Sequence, residues 1–153
     1  MTEERDGVIW DLSSYFPSFD GPEMRKFKDE LTADIHTLQE KAGALAPLAA
    51  KNAEDWEAVY LLAEDTAARL GHIFSYVGCL SSADAASDTY SAEEARLQLL
   101  EAEIGKFGVD LLRGLAHVTD EVFDAFIARE TLEPISHAIR RDRERASKQM
   151  TPA

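Results

Sequence analysis

Apolar residues in this chain recur at steps of three and four over three long stretches, and nowhere do they alternate over a sustained run. Steps of three and four place side chains on one stripe of an α-helix, whereas a half-buried strand needs a period of two. The first stripe is Met24, Phe27, Leu31, Ile35, Leu38, Ala42 and Leu45. Asp20-Gly21-Pro22-Glu23 opens it: proline in the first turn forfeits no hydrogen bond, and glutamate suits the positive end of the helix dipole. Ala46-Pro47 closes it. The second stripe is Trp56, Val59, Tyr60, Ala63, Ala67 and Leu70, behind an Asn52/Asp55 pair that reads as a capping box. It then broadens to Ile73, Phe74, Tyr76, Val77, Cys79 and Leu80, with almost no polar face. A helix apolar all round is buried on several sides, so the Leu70–Leu80 segment is predicted to lie at the centre of the fold. Gly71 and Gly78 stand two helical turns apart there. Each costs roughly 1 kcal/mol relative to alanine, which predicts a compensating close approach by another helix.

Ser81 to Thr89 is small and polar and reads as a long turn. Ser91-Ala92-Glu93-Glu94 has the serine-to-glutamate spacing of a capping box. The third stripe follows, with Ala95, Leu99, Leu100, Ile104, Phe107, Leu111, Leu112 and Leu115 facing inward. Thr119 is placed to cap a short helix holding Val122, Phe123, Phe126 and Ile127. Pro134 is placed to start a last one, with Ile135, Ala138 and Ile139 inward and the arginines outward. The architecture predicted is all-α: an antiparallel bundle of three long helices plus one or two short C-terminal helices over residues 21–149. Leu70, Phe74, Val77, Leu100, Ile104, Phe107 and Leu111 are its expected core. Residues 1–20 form an extended leader whose Trp10, Tyr15, Phe16 and Phe19 lie across the helices. They offer more aromatic area than such a bundle needs, which predicts an exposed apolar surface and weak self-association. Thr151-Pro152 has the form of an N-cap followed by a first-turn proline, so residues 150–153 read either as the start of a following element, which the family resemblance below favours, or as a frayed tail.

At 153 residues the chain suits one domain. No apolar run approaches the ~18 residues of a membrane span, and the polar, acidic Thr2-Glu3-Glu4-Arg5-Asp6 is the opposite of a secretory signal. Cys79 is the only cysteine, so no intrachain disulfide can form. These features predict a cytoplasmic protein. A formal net charge of -13 repels phosphate backbones and argues against nucleic acid as a partner. Between Arg129 and Lys148 the balance reverses, with six basic residues against four acidic ones. That island reads as a solvated helix end or a docking surface for an acidic part of a larger protein.

No catalytic, cofactor-binding or metal-ligating set is visible. His36, His72, His117 and His137 lack the spacing of a zinc-protease pair and of the Glu-x-x-His signature of di-iron bundles. Glu93, Glu94, Glu101 and Glu103 spread around a helix and read as a solvated face. His72 reads as a hydrogen-bonded core histidine, and Cys79 as a small buried hydrophobe with no basic neighbour to activate it. Gly105-Lys106-Phe107-Gly108 has the form of an RNA-binding GXXG loop but lies inside a helical pattern, where close helix packing explains it better.

Trp10-Asp11-Leu12-Ser13-Ser14-Tyr15-Phe16-Pro17-Ser18-Phe19-Asp20-Gly21-Pro22-Glu23 resembles the opening of the oligoendopeptidase F family of zinc metallopeptidases. Arg69-Leu70-Gly71-His72-Ile73-Phe74-Ser75-Tyr76 is similar to that family's second helix, and Ala83-Asp84-Ala85-Ala86-Ser87-Asp88 to its following turn. Leu132-Glu133-Pro134-Ile135-Ser136-His137-Ala138-Ile139-Arg140-Arg141 resembles the segment leading toward the catalytic region. The resemblance implies a non-catalytic N-terminal helical region forming part of the wall or lid of a channel that admits peptides. It also implies zinc in the parent enzyme, on a His-Glu-x-x-His helix that nothing here matches. Its partners would be the catalytic region of the same protein and the peptide substrates. The alternative is a free-standing helical protein-interaction module without enzymatic activity.

Overall fold

The computed structural model describes residues 10–149. They form five α-helices: α1 (Pro22–Ala44), α2 (Ala53–Ala83), α3 (Asp88–Leu115), α4 (Asp120–Ile127) and α5 (Ser136–Gln149). Short 3-10 turns at Ala50–Asn52 and Glu130–Ile135 precede α2 and α5. The three long helices pack against one another, and α5 lies against α3. No strand occurs among the described residues, so the fold is the all-α bundle that the periodicity predicts. The Thr151-Pro152-Ala153 reading lies outside the described residues.

Helix starts follow side-chain chemistry, at some positions other than those expected. α1 begins as read, with Gly21 as N-cap, Pro22 in the first turn and Glu23 beside it. Asn52 stands at the N-cap position of α2, but its side chain makes no capping bond to that helix. Its side chain accepts the Ala49 N–H at 2.8 Å and donates to the carbonyls of Pro47 at 3.0 Å and Ala46 at 3.3 Å. It fastens the connection between α1 and α2. The predicted Ser81–Thr89 turn is shorter, because α2 runs on to Ala83 and α3 starts at Asp88. The N-cap of α3 is Ser87, whose hydroxyl accepts the Tyr90 N–H at 3.4 Å, and Ser91 lies within the helix. Thr119 caps α4 as predicted. Pro134 sits inside the 3-10 turn, and α5 begins two residues later at Ser136.

The core has two clusters, not one centre at Leu70–Leu80. The first gathers around Trp56, with Leu38, Val59, Leu111, Leu115, Phe126, Leu132 and Ile139. The second gathers around Ile73, with Met24, Leu31, Ile35, Leu70, Tyr76, Val77 and Leu97. Of the seven predicted core residues, Leu70, Val77 and Leu111 are buried, while Phe74, Leu100, Ile104 and Phe107 are only half-buried. Leu99 and Ala95, expected inside, face solvent, with Leu99 69% exposed. In the first turns of α3 the inward positions are Glu93 and Leu97, and from there the register continues to Leu111 and Leu115 as expected. On α2, Ala67 is exposed and Thr66 is buried beside it. Its hydroxyl donates to the carbonyls of Leu62 and Ala63 at 2.9 and 3.0 Å, satisfying the polar atom within the helix.

The described part of the leader, residues 10–20, is a run of turns and bends, not an extended segment. Phe16 enters the second cluster, buried among the rings of Phe27, His72 and Tyr76. Phe19 stands edge-on to Tyr90, and Tyr15 stacks on Tyr76. Of the four leader aromatics only Trp10 is exposed, at 79%. The expected apolar surface is therefore not built by the leader as a whole, because its rings complete the bundle's own core.

Candidate functional site

α2, α3 and α5 meet around a cleft of about 460 Å³. Ala63 and Glu64 of α2 form one side. Ile104, Gly105, Phe107, Gly108, Val109 and Leu112 of α3 form another, and Ala138, Asp142 and Arg145 of α5 the third. The helix period explains this assembly: Gly105, Gly108 and Leu112 recur at three and four on α3, as do Ala138, Asp142 and Arg145 on α5. A Cβ added at Gly105 or Gly108 would meet no heavy atom within 4 Å. The expectation that close helix packing explains these two glycines is therefore corrected: they open space in the wall of the cleft.

The polar feature of the cleft is a pair across α2 and α5. The Tyr60 hydroxyl donates to Asp142 Oδ2 at 3.1 Å. Burial pushes the Tyr60 phenol far above its ordinary range, and the neighbouring carboxylate adds to that. Burial also raises Asp142 above the usual carboxylate value, against the lowering effects of the Tyr60 hydrogen bond, Arg145 and Arg141. A raised carboxyl favours the fold most below its unfolded pKa, and that contribution is lost as pH rises through the folded value. At neutral pH the ionised Asp142 is thus a cost. Asp142→Asn keeps an acceptor for Tyr60 and is expected to unfold at an equal or higher urea concentration at pH 7. The difference from the native chain should vanish in acid, where both side chains are neutral. A lower midpoint at pH 7 that persists in acid contradicts this account.

A second, wider groove of about 1290 Å³ lies between Trp10, Leu12 and Tyr15 of the leader and Ser75, Gly78 and Cys79 of α2. Cys79 is exposed here, not buried as its apolar neighbourhood suggested. Gly71 and Gly78 are likewise not sites of helix contact, since an added Cβ at either meets nothing within 4 Å. The close approach falls at Gly114, which sequence reasoning did not single out. A Cβ there would stand 2.6 Å from Cη2 of Trp56 and closer still to Cζ2.

The remaining chemistry-bearing residues are dispersed. His36, His72, His117 and His137 are all exposed and lie on different elements. His72 is not the core histidine expected: it forms the outer edge of the aromatic cluster, 4.9 Å from the Tyr15 ring and 5.5 Å from Phe16. Glu93 departs from the solvated-face reading. Its side chain is 3% exposed and pairs with Lys28 of α1 at 2.8 Å and Arg96 at 3.2 Å. Glu103 accepts from Gln39 at 2.7 Å and pairs with Lys106. Among the described residues no three His, Cys, Asp or Glu side chains converge as a metal site would require. No helix among the described residues is long and apolar enough to cross a membrane.

On the basic island, Arg143 is held against the body of the protein. It lies 4.5 Å over the Phe123 ring and bonds the Val118 carbonyl at 3.1 Å and Asp120 at 2.5 Å. Arg140, Arg141, Arg145 and Lys148 are exposed. In comparisons with protein-family models, curated proteins and solved structures, no match to this chain is found.

Proposed function

We propose that this chain is the non-catalytic N-terminal helical domain of an oligoendopeptidase F-like zinc metalloendopeptidase, forming part of the wall or lid of the channel that admits peptide substrates. One observation carries this reading. The resembling leader segment and the resembling segment of α2 are far apart in sequence, yet their rings are in contact. Phe16 lies 5.1 Å from Tyr76, and Tyr15 lies 4.9 Å from His72. Two parts of one family pattern thus form a single spatial unit, which supports their descent as one domain. On this reading the zinc and the attacking water belong to a catalytic region outside these residues. The helices here shape the channel and exclude water from it. The exposed guanidinium groups of α5 serve as the contact with the acidic surface of that region.

The test supplies the two parts separately. Alone, this chain is expected to retain no stoichiometric zinc and to leave peptides uncut. With the catalytic region it is expected to bind and to raise peptidase activity. A catalytic region that is fully active by itself and shows no affinity for this chain at high micromolar concentration overturns the channel-wall role. The free-standing interaction module then becomes the better reading. A reading frame that continues past Ala153 without a His-Glu-x-x-His helix has the same force.

A further inference from the structure

We infer that α5 is a wall of the cleft that opens by itself, a strap hinged at the 3-10 turn before it and held shut more firmly in acid than at neutral pH through the contact between Tyr60 and Asp142. The inference stands apart from the peptidase reading. Its first basis is how little apolar surface α5 brings to the core. Over Ser136–Gln149 only Ala138, Ile139 and Ala146 are apolar, and only Ile139 and Ala146 are buried. The polar attachments lie at two points. Arg143 covers the Phe123 ring and reaches the Val118 carbonyl and Asp120. Asp142 accepts the Tyr60 hydroxyl at 3.1 Å. Ahead of the helix, Leu132 is wholly buried and anchors the turn, while Glu133 and Pro134 after it are exposed. Proline has no N–H to give, so the chain between anchor and helix is a natural place for a hinge. Few buried apolar contacts mark a segment that opens locally, and a released helix of this length is marginal and frays.

The second basis is the setting of Asp142, whose side chain is 27% exposed. From α2 it faces Tyr60, and Glu64 lines the same cleft. The α3 residues that line the cleft, and Ile135 of the turn, include no titratable side chain. Arg141 and Arg145 belong to α5, travel with it, and favour the carboxylate whether the helix is seated or released. What changes on seating is loss of water around the carboxyl group and gain of the Tyr60 bond. Burial outweighs the bond, so the seated Asp142 is raised above the usual carboxylate range. A raised carboxyl holds the seated form best below its released pKa, and that contribution is lost as pH rises through the seated value. Release is therefore easier at neutral pH than in acid. Opening carries Ala138, Asp142 and Arg145 away and leaves the α2 and α3 walls of the cleft open to water.

Hydrogen exchange of the whole chain, followed amide by amide and corrected for intrinsic rates, tests this. At pH 7 the α5 amides are expected to show protection roughly tenfold or more below that of the buried stretches of α1 and α2, with little dependence on urea, as a local opening requires. Asp142→Asn keeps an acceptor for Tyr60 and is expected to raise α5 protection several-fold at pH 7 and not in acid. α5 amides that share the protection and the urea dependence of α1 and α2 open only with the whole molecule, and the strap is then wrong. An Asp142→Asn chain whose α5 exchanges as in the native chain at pH 7, or differs from it equally in acid, removes Asp142 from the device and overturns the inference as well.

Discussion

Trp56→Ala is expected to lose about 3–5 kcal/mol of folding stability, a large part of the ~5–15 kcal/mol a domain of this kind possesses. Trp56 is wholly buried and stands at the centre of the first core cluster. Its indole N–H donates to the Ala46 carbonyl at 3.0 Å, so the ring also holds the segment that links α1 to α2. Gly114 lies close against the ring, and its own carbonyl accepts the Leu48 N–H at 3.1 Å. Removing the indole therefore empties a large volume and frees the connection at once. Urea unfolding followed by far-UV circular dichroism is the measurement, since Trp56 itself would dominate a fluorescence signal. Gly114→Ala offers the converse: its methyl group would collide with the fixed ring, at an expected cost of about 1–3 kcal/mol. A loss below about 1 kcal/mol for Trp56→Ala would mean that this cluster is not the keystone the packing describes.

Lys28→Met is the second large effect expected, with a loss of about 2–3 kcal/mol. The Glu93 carboxylate is almost wholly covered and takes its main partner from Lys28, whose own side chain is 20% exposed. Removing one member of a buried pair leaves an unpaired charge in a poorly solvating site, at a typical cost of ~3–5 kcal/mol. The figure here is smaller because Arg96, one turn along α3, still reaches the second carboxylate oxygen at 3.2 Å. Replacing both members, Lys28→Met with Glu93→Leu, is expected to recover most of the loss, since a pair of apolar groups carries no desolvation cost. The double-mutant cycle separates the pair from the packing of its stems. If Glu93→Leu alone destabilises as much as Lys28→Met, the carboxylate itself holds the site, and the orphaned-charge account is wrong.

The helices were legible in the sequence because their signal is local. The stripe from Met24 to Ala42 is buried at five of its positions on α1, and Thr119 caps α4 as its hydroxyl and spacing predict. What periodicity cannot decide is which of several apolar sides of a helix meets a neighbour. α3 carries apolar residues on more than one face: Leu111 and Leu115 are buried as expected and Leu100, Ile104, Phe107 and Leu112 pack against the core, whereas Ala95 and Leu99 fall on the solvent side. In those first turns Leu97 and the Lys28–Glu93 pair set the register instead, through contact with α1 and α2. Caps fail for a related reason. Ser87 and Ser91 are both competent, as are several roles for Asn52, and the choice rests on how far the preceding helix runs.

The candidate cleft was hardly legible at all. Gly105-Lys106-Phe107-Gly108 is helical as its pattern implies, but its glycines face open space where close helix packing is expected. Gly114, where such a contact does occur, has no distinguishing neighbour in the chain. A glycine records only the absence of a side chain. Whether that absence admits a neighbouring ring, as at Gly114, or leaves a hole, as at Gly105, depends on residues more than fifty positions away in the first case and on nothing in the second.

By itself the sequence determined the helical class, the places of the long helices to within a few residues, and the absence of any intrachain disulfide. Each of these follows from spacing or from residue type along one local stretch. Only the tertiary structure decided that the core divides into two clusters, that Glu93 is buried while Leu99 and Cys79 are exposed, and that α2, α3 and α5 leave a cleft between them. Those outcomes depend on the rotation of each helix about its own axis. That rotation is set by the sum of contacts with all its neighbours, a quantity no local pattern contains.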